Sequence, residues 1–175
     1  MKKILFTFFL FTILISCRKQ DFDYSNHVVG GDFQDNTAYI NNWFSLVGNM
    51  AVVDSSYNLS KCLYIGGNAS GGSKVYSVLK NLRPNTNYRC QFYCTIFSNQ
   101  AISSTSFRLQ PVQNGIALGS VSVTDFDSQL PVYYDWHLCT FLFRTDASAS
   151  PVELDCEGFG LEQAWIDDVT VVQQD

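Results

Sequence analysis

From residue 87 to 97 the chain alternates, with Tyr88, Cys90, Phe92, Cys94 and Ile96 on one side and Arg89, Gln91, Tyr93 and Thr95 on the other. Period two marks a strand with one buried face. SFRLQPV repeats the pattern, setting Phe107 and Leu109 against Arg108 and Gln110. Further strands are predicted over 49–54, 61–66, 74–79, 116–124, 136–144, 151–156 and 163–172, parted by turn clusters such as GGNASGGS and LRPNTN. No segment holds a 3.6-residue apolar period and the connections are too short for helices, so the chain is predicted to be all-β. About ten strands in one domain require two packed sheets, as a jelly roll or an immunoglobulin-like sandwich.

The first residues break this pattern. Met1, Lys2 and Lys3 form a basic start, Ile4 to Ile15 an apolar run, and Ser16 stands before Cys17. The run is shorter than the roughly 20 residues that span a bilayer, so it reads as a signal peptide. Leu14, Ile15, Ser16 and Cys17 resemble the bacterial lipobox, whose cysteine receives a diacylglycerol and becomes the mature N-terminus. The expected organisation is a lipoprotein signal peptide over 1–16, a lipidated cysteine and polar spacer over 17–26, and one domain over 27–175. Several acyl chains on Cys17, palmitate among them, would anchor the protein permanently without spanning the membrane. The expected location is the cell envelope, anchored to the bacterial membrane, which is the outer membrane if the cell is Gram-negative, and facing periplasm or exterior.

Composition narrows the partners. The formal charge is −5 overall and becomes −7 once the two signal lysines are removed. Nucleic acid and anionic lipid are therefore poor partners, and the lipid on Cys17 is the expected link to a membrane. A neutral ligand and a monomeric state are expected. Lipidation of Cys17 leaves five of six cysteines, so they cannot all pair. Cys90 and Cys94 lie about 13 Å apart along one strand, too far to bridge each other. The five are expected as buried thiols or with one disulfide among the later ones.

Three segments carry a family resemblance: Gly30-Gly31-Asp32-Phe33-Gln34 with Trp43, Leu82-Arg83-Pro84-Asn85-Thr86-Asn87-Tyr88, and Trp165-Ile166-Asp167-Asp168-Val169. In this order they resemble the carbohydrate-binding modules of the family 4/9, CenC-like type, which are galactose-binding-like jelly rolls. The resemblance implies non-catalytic binding of a polysaccharide or oligosaccharide on a sheet face or at loops beside it, with the three tryptophans mostly structural. Stacking rings and planar polar side chains suit such a ligand. Arg89, Gln91 and Tyr93 on one strand and Arg108 and Gln110 on another have that character, and Tyr133 and Tyr134 after Pro131 offer a platform at the end of a groove. No cofactor is required. The resemblance also implies a structural calcium where the opening motif meets the closing strand, with Gln34, Asp32 and Asp167 as ligands, although Gln34 stands where an acidic residue is usual.

The competing classes are an envelope scaffold or adhesin that binds protein, an accessory module of a glycoside-degrading system, and a glycosidase. Neither His27 nor His137 lies in a catalytic signature. Asp125, Asp127, Asp135, Asp155 and Glu157 are the carboxylates from which a paired acid would have to come.

Overall fold

The structure, a computed structural model, describes residues 25–54, 60–67, 72–97, 106–124, 136–159 and 163–174. Cys17 with the rest of the signal segment, and the loop tyrosines Tyr133 and Tyr134, lie outside the described residues. The fold is a two-sheet jelly-roll sandwich, as the alternating pattern predicts.

In chain order the elements are α1 (Asn36–Asn42), β1 (Trp43–Val47), β2 (Asn49–Val53), β3 (Cys62–Gly66), β4 (Gly72–Val78), β5 (Asn87–Phe97), β6 (Ser106–Gln113), β7 (Ile116–Ala117), β8 (Val121–Thr124), β9 (His137–Arg144), β10 (Val152–Phe159) and β11 (Gln163–Gln173). The six-stranded sheet runs β1-β4-β10-β6-β7, with β8 also paired to β6, and the five-stranded sheet runs β2-β3-β11-β5-β9. All pairings are antiparallel.

Alternation decides what fills the space between the sheets. Tyr88, Cys90, Phe92 and Cys94 of β5 turn inward, as do Val75 of β4, Phe107 and Leu109 of β6, Leu154 and Cys156 of β10, and Ile166 of β11; all are fully buried. Each apolar side chain so buried contributes about 1.5–3 kcal/mol. Three elements depart from the predicted layout, the first being β1, which no alternation announced. Residues 36–42 form a helix of two turns, too short to leave an apolar period, which is started by Asp35: its Oδ1 accepts from the N–H of Thr37 at 2.8 Å and of Ala38 at 3.4 Å. The predicted strand 116–124 is two strands, β7 and β8, separated by three residues.

The three segments that carry the resemblance each close a specific joint. The Gly31 carbonyl accepts from the Val169 N–H at 2.9 Å, and a β-carbon on Gly31 would stand 2.2 Å from the Val169 oxygen, so only glycine lets the opening segment lie this close to β11. Phe33 enters the core at φ 54° and meets Trp43 with ring centroids 5.3 Å apart. In the middle segment the Tyr88 hydroxyl accepts from the Arg83 N–H at 2.7 Å, pinning the turn before β5. The closing segment carries a bulge between Asp167 and Thr170, where Asp168 takes φ 49°.

Candidate functional site

Register on the six-stranded sheet lines up outward side chains in rungs across four strands. Trp43 of β1 is in the core, so Phe44 faces out; opposite it across the sheet lie Tyr76 on β4, Asp155 on β10 and Gln110 on β6. Two residues away the rung is Lys74, Glu157 and Arg108, and on the other side it is Val78, Glu153 and Val112. The Phe44 and Tyr76 rings, 5.3 Å apart and tilted by 32°, make a half-exposed apolar shelf. Beside it Lys74, Asp155, Gln110, Val112 and Glu153 line a groove of about 600 Å³.

The polar side chains along the groove hold one another. Lys74 Nζ donates to Asp155 Oδ2 at 2.6 Å and to Glu157 Oε1 at 3.1 Å. Arg108 Nη2 donates to Glu157 Oε2, and Gln110 Nε2 reaches the same oxygen at 3.4 Å. Asp155 is 2% exposed. A buried carboxylate costs several kcal/mol of desolvation unless it is paired, and Lys74 supplies the pair. No described residue donates to Asp155 Oδ1. Burial alone would raise the Glu157 carboxyl, but the bonds from Arg108 and Lys74 outweigh it and hold it below the usual carboxylate range. Burial would likewise lower the Lys74 ammonium, and the hydrogen bonds to Asp155 and Glu157 raise it instead. Glu157 and Lys74 thus keep their charges, and the cross-braced floor offers fixed acceptors and donors to a hydroxyl-rich ligand.

The sequence-predicted face divides between the two sheets. Arg108 and Gln110 lie beside this groove. Arg89, Gln91 and Tyr93 point outward from β5 on the opposite side of the sandwich, where their register neighbours on β9 are Leu142, Thr140 and Leu138. On that face Tyr64 and Trp165 meet with centroids 5.5 Å apart, so Trp165 is buried outside the main core while Trp43 is within it. The reason for the division is topological: β5 and β6 follow one another in sequence yet belong to different sheets, so one outward alternation becomes two opposite faces. Phe44, Lys74, Tyr76, Asp155 and Glu157 escaped assignment to the face from sequence. The alternation of Lys74 and Tyr76 with buried Val75 carried the signal, but β1 itself gave none.

The joint of the opening and closing segments encloses a pocket of about 150 Å³ between Asn26, Gly31, Asp32 and Asp168. Asp32 and Asp168 approach one another here: burial first, and then the charge of Asp32, raises the Asp168 carboxyl. Asp167 is fully buried instead, its Oδ1 accepting from the Asp168 N–H at 2.8 Å. Gln34 Nε2 donates to the Asp32 carbonyl at 2.7 Å and to Ser60 Oγ at 2.9 Å. Among the described residues no three His, Cys, Asp or Glu side chains gather to hold a metal. Of the three residues that the resemblance implies as calcium ligands, Asp32 lines this pocket beside Asp168, Gln34 directs its amide N–H toward Asp32 and Ser60, and Asp167 is buried against the Asp168 N–H. Because a raised carboxyl favours the fold only while protonated, Asp168→Asn should raise the melting temperature at pH 7 in EDTA, and the gain should vanish near pH 3. Thermal melts at the two pH values measure it.

No protein-family model matches the chain, and no curated protein matches it in sequence. Solved structures do match in fold. A cyclase from Fischerella sp. TAU aligns with TM-score 0.63 at 13% identity over 87% of this chain and 98% of its own. TmCBM61, solved with β-1,4-galactotriose, aligns with TM-score 0.60 at 12% identity over 86% of this chain and 99% of its own. A family 4 carbohydrate-binding module aligns with TM-score 0.55 at 17% identity over 84% and 99%. The chain has a carbohydrate-binding-module-like jelly roll, and that fold serves both binding modules and enzymes.

Proposed function

We propose that this protein is a non-catalytic, lipid-anchored binder of a polysaccharide or oligosaccharide at the cell envelope, with the ligand on the outer face of β1, β4, β10 and β6. The observation that carries this reading is the rung Phe44, Tyr76, Asp155 and Gln110, which sets an aromatic shelf beside planar hydrogen-bonding groups in an open groove. Sugar rings need both: C–H faces stack on rings, and hydroxyls pair with carboxylates and amides. Lys74 and Arg108 both spend their charge on Asp155 and Glu157, and Glu153 adds a further negative charge. A neutral glycan suits that balance and an acidic one does not. Binding modules that share the fold, one of them solved with a galactotriose, support the ligand class.

Glu157 does not suit the role of a glycosidase acid, which needs a raised carboxyl, because its own is lowered; Asp125, Asp127 and Asp135 lie outside the described residues. The exposed Leu138 and Leu142, on the edge strand β9, favour the second reading, a protein-binding adhesin. A glycan array with protein lacking residues 1–17 separates the two. Retention of neutral oligosaccharides without acidic ones is expected; no retention of any glycan would overturn the proposal. The anchor is tested separately: a palmitate analogue fed to the cells should label the protein, and Cys17→Ser should abolish the label.

A further inference from the structure

Cys94 and Cys139 sit on neighbouring strands of the five-stranded sheet with their sulfurs 3.9 Å apart. Register places Cys139 opposite Phe92 and Cys94 opposite His137, so the two cysteines are diagonal neighbours. Such diagonals average about 7–8 Å between α-carbons, somewhat wider than a disulfide spans. Here the sulfurs already touch, and about 2 Å of approach separates them from the roughly 2.05 Å bond. At that span rotation about χ1 must be joined by a small shift of β9, an edge strand, toward β5. Cys94 is fully buried, whereas Cys139 is half-buried on the edge strand, within reach of a reagent in solution.

We propose that Cys94 and Cys139 are an oxidisable pair that closes a disulfide stapling β9 to β5, leaving Cys62, Cys90 and Cys156 as thiols. Cys139 is the accessible member of the pair and so reacts first, and the hydrogen bond between the two sulfurs, which lowers the Cys139 thiol and with burial raises Cys94, favours the same order. Cys139 thiolate attacks a disulfide donor, forming a mixed disulfide and releasing one donor thiol. Cys94 then loses its proton to solvent and attacks the Cys139 sulfur, expelling the second donor thiol. One donor disulfide is reduced to two thiols and one protein disulfide forms. Cys156, on β10 of the other sheet, is as buried as Cys94, but it is Cys94 whose sulfur stands 3.9 Å from Cys139, so the exchange resolves on Cys94. The bridge would close the stretch 95–138 and remove that freedom from the unfolded chain.

The test uses the full chain carrying Cys17→Ser, purified reduced in mild detergent, treated folded with oxidised glutathione, then unfolded and alkylated with a maleimide. Two of the five thiols should be lost with no glutathione retained, and trypsin should leave the peptide 90–108 linked to 109–144, a link that Cys90→Ala preserves. Cys94→Ala should instead trap glutathione on Cys139. Five alkylated thiols, or a link that persists in Cys94→Ala, would overturn the proposal. The wild-type count decides even if a variant fails to fold, and it is independent of the groove's ligand and of the lipid anchor.

Discussion

Replacing Lys74 with methionine is expected to destabilise the fold by about 3 kcal/mol, the lower end of the range for removing one partner of a buried ion pair. The lower end applies because Lys74 keeps a third of its side chain in solvent while Asp155 keeps almost none. Methionine preserves the packing of the aliphatic stem along β4, so the loss reads the charge and not the volume. Asp155 is then a carboxylate inside the protein without its ammonium, and Glu157 keeps only Arg108 and Gln110.

The pH profile identifies the cause. Glu157 has a lowered carboxyl, so its contribution is present above the ordinary value of 4.5 and is lost as pH falls through the lower folded value. Lys74 is raised, so its contribution is present below its ordinary 10.5 and is lost as pH rises through the higher folded value. Lys74→Met should therefore flatten stability against pH at both ends. Adding Asp155→Leu should recover much of the loss, since a buried pair replaced by apolar groups is often neutral. Urea unfolding of the three proteins from pH 3 to 11 measures all of this; a methionine variant within about 0.5 kcal/mol of wild type, the scale of an ordinary surface substitution, would show that the pair is solvated.

The second large effect belongs to the aromatic shelf. Phe44→Ala with Tyr76→Ala should weaken glycan affinity by about 2–4 kcal/mol, roughly 30- to 1000-fold, as expected when a stacking platform at the centre of a site is removed. Both side chains are partly exposed on the outer face, so the fold itself should lose far less than a core truncation would cost. Titration calorimetry gives the affinity and a melt on the same sample gives the stability.

Much of the sandwich was legible in sequence because alternation of period two directly encodes which side of a strand is buried. Tyr88, Cys90, Phe92 and Cys94 are the clearest case, and all four are core. The motif order Gly31, Tyr88, Asp168 was legible for a related reason: a close backbone approach, a phenol capping a turn and a positive-φ bulge each demand a particular residue. The ligand face was legible only in part. Alternation says that Arg89 and Arg108 point away from the core, but not that their strands lie in different sheets, because sheet membership is set by long-range pairing that leaves no local trace. Phe44 was hidden for another reason. WFSLV carries no alternation, since only Trp43 of β1 is buried and the next four side chains are all exposed. Asp155 was visible only as one acidic residue among several, and its burial against Lys74 depends on a partner 81 residues away.

The central claim is that ligand lies on the six-stranded face. The direct measurement is affinity electrophoresis, in gels containing whichever neutral glycan the array identifies, of wild type, Phe44→Ala/Tyr76→Ala and Gln91→Ala/Tyr93→Ala. Retardation should be lost in the first variant and kept in the second, with both melting as folded proteins. Retardation kept by the first and lost by the second would place the ligand on the face of β5 and contradict the account.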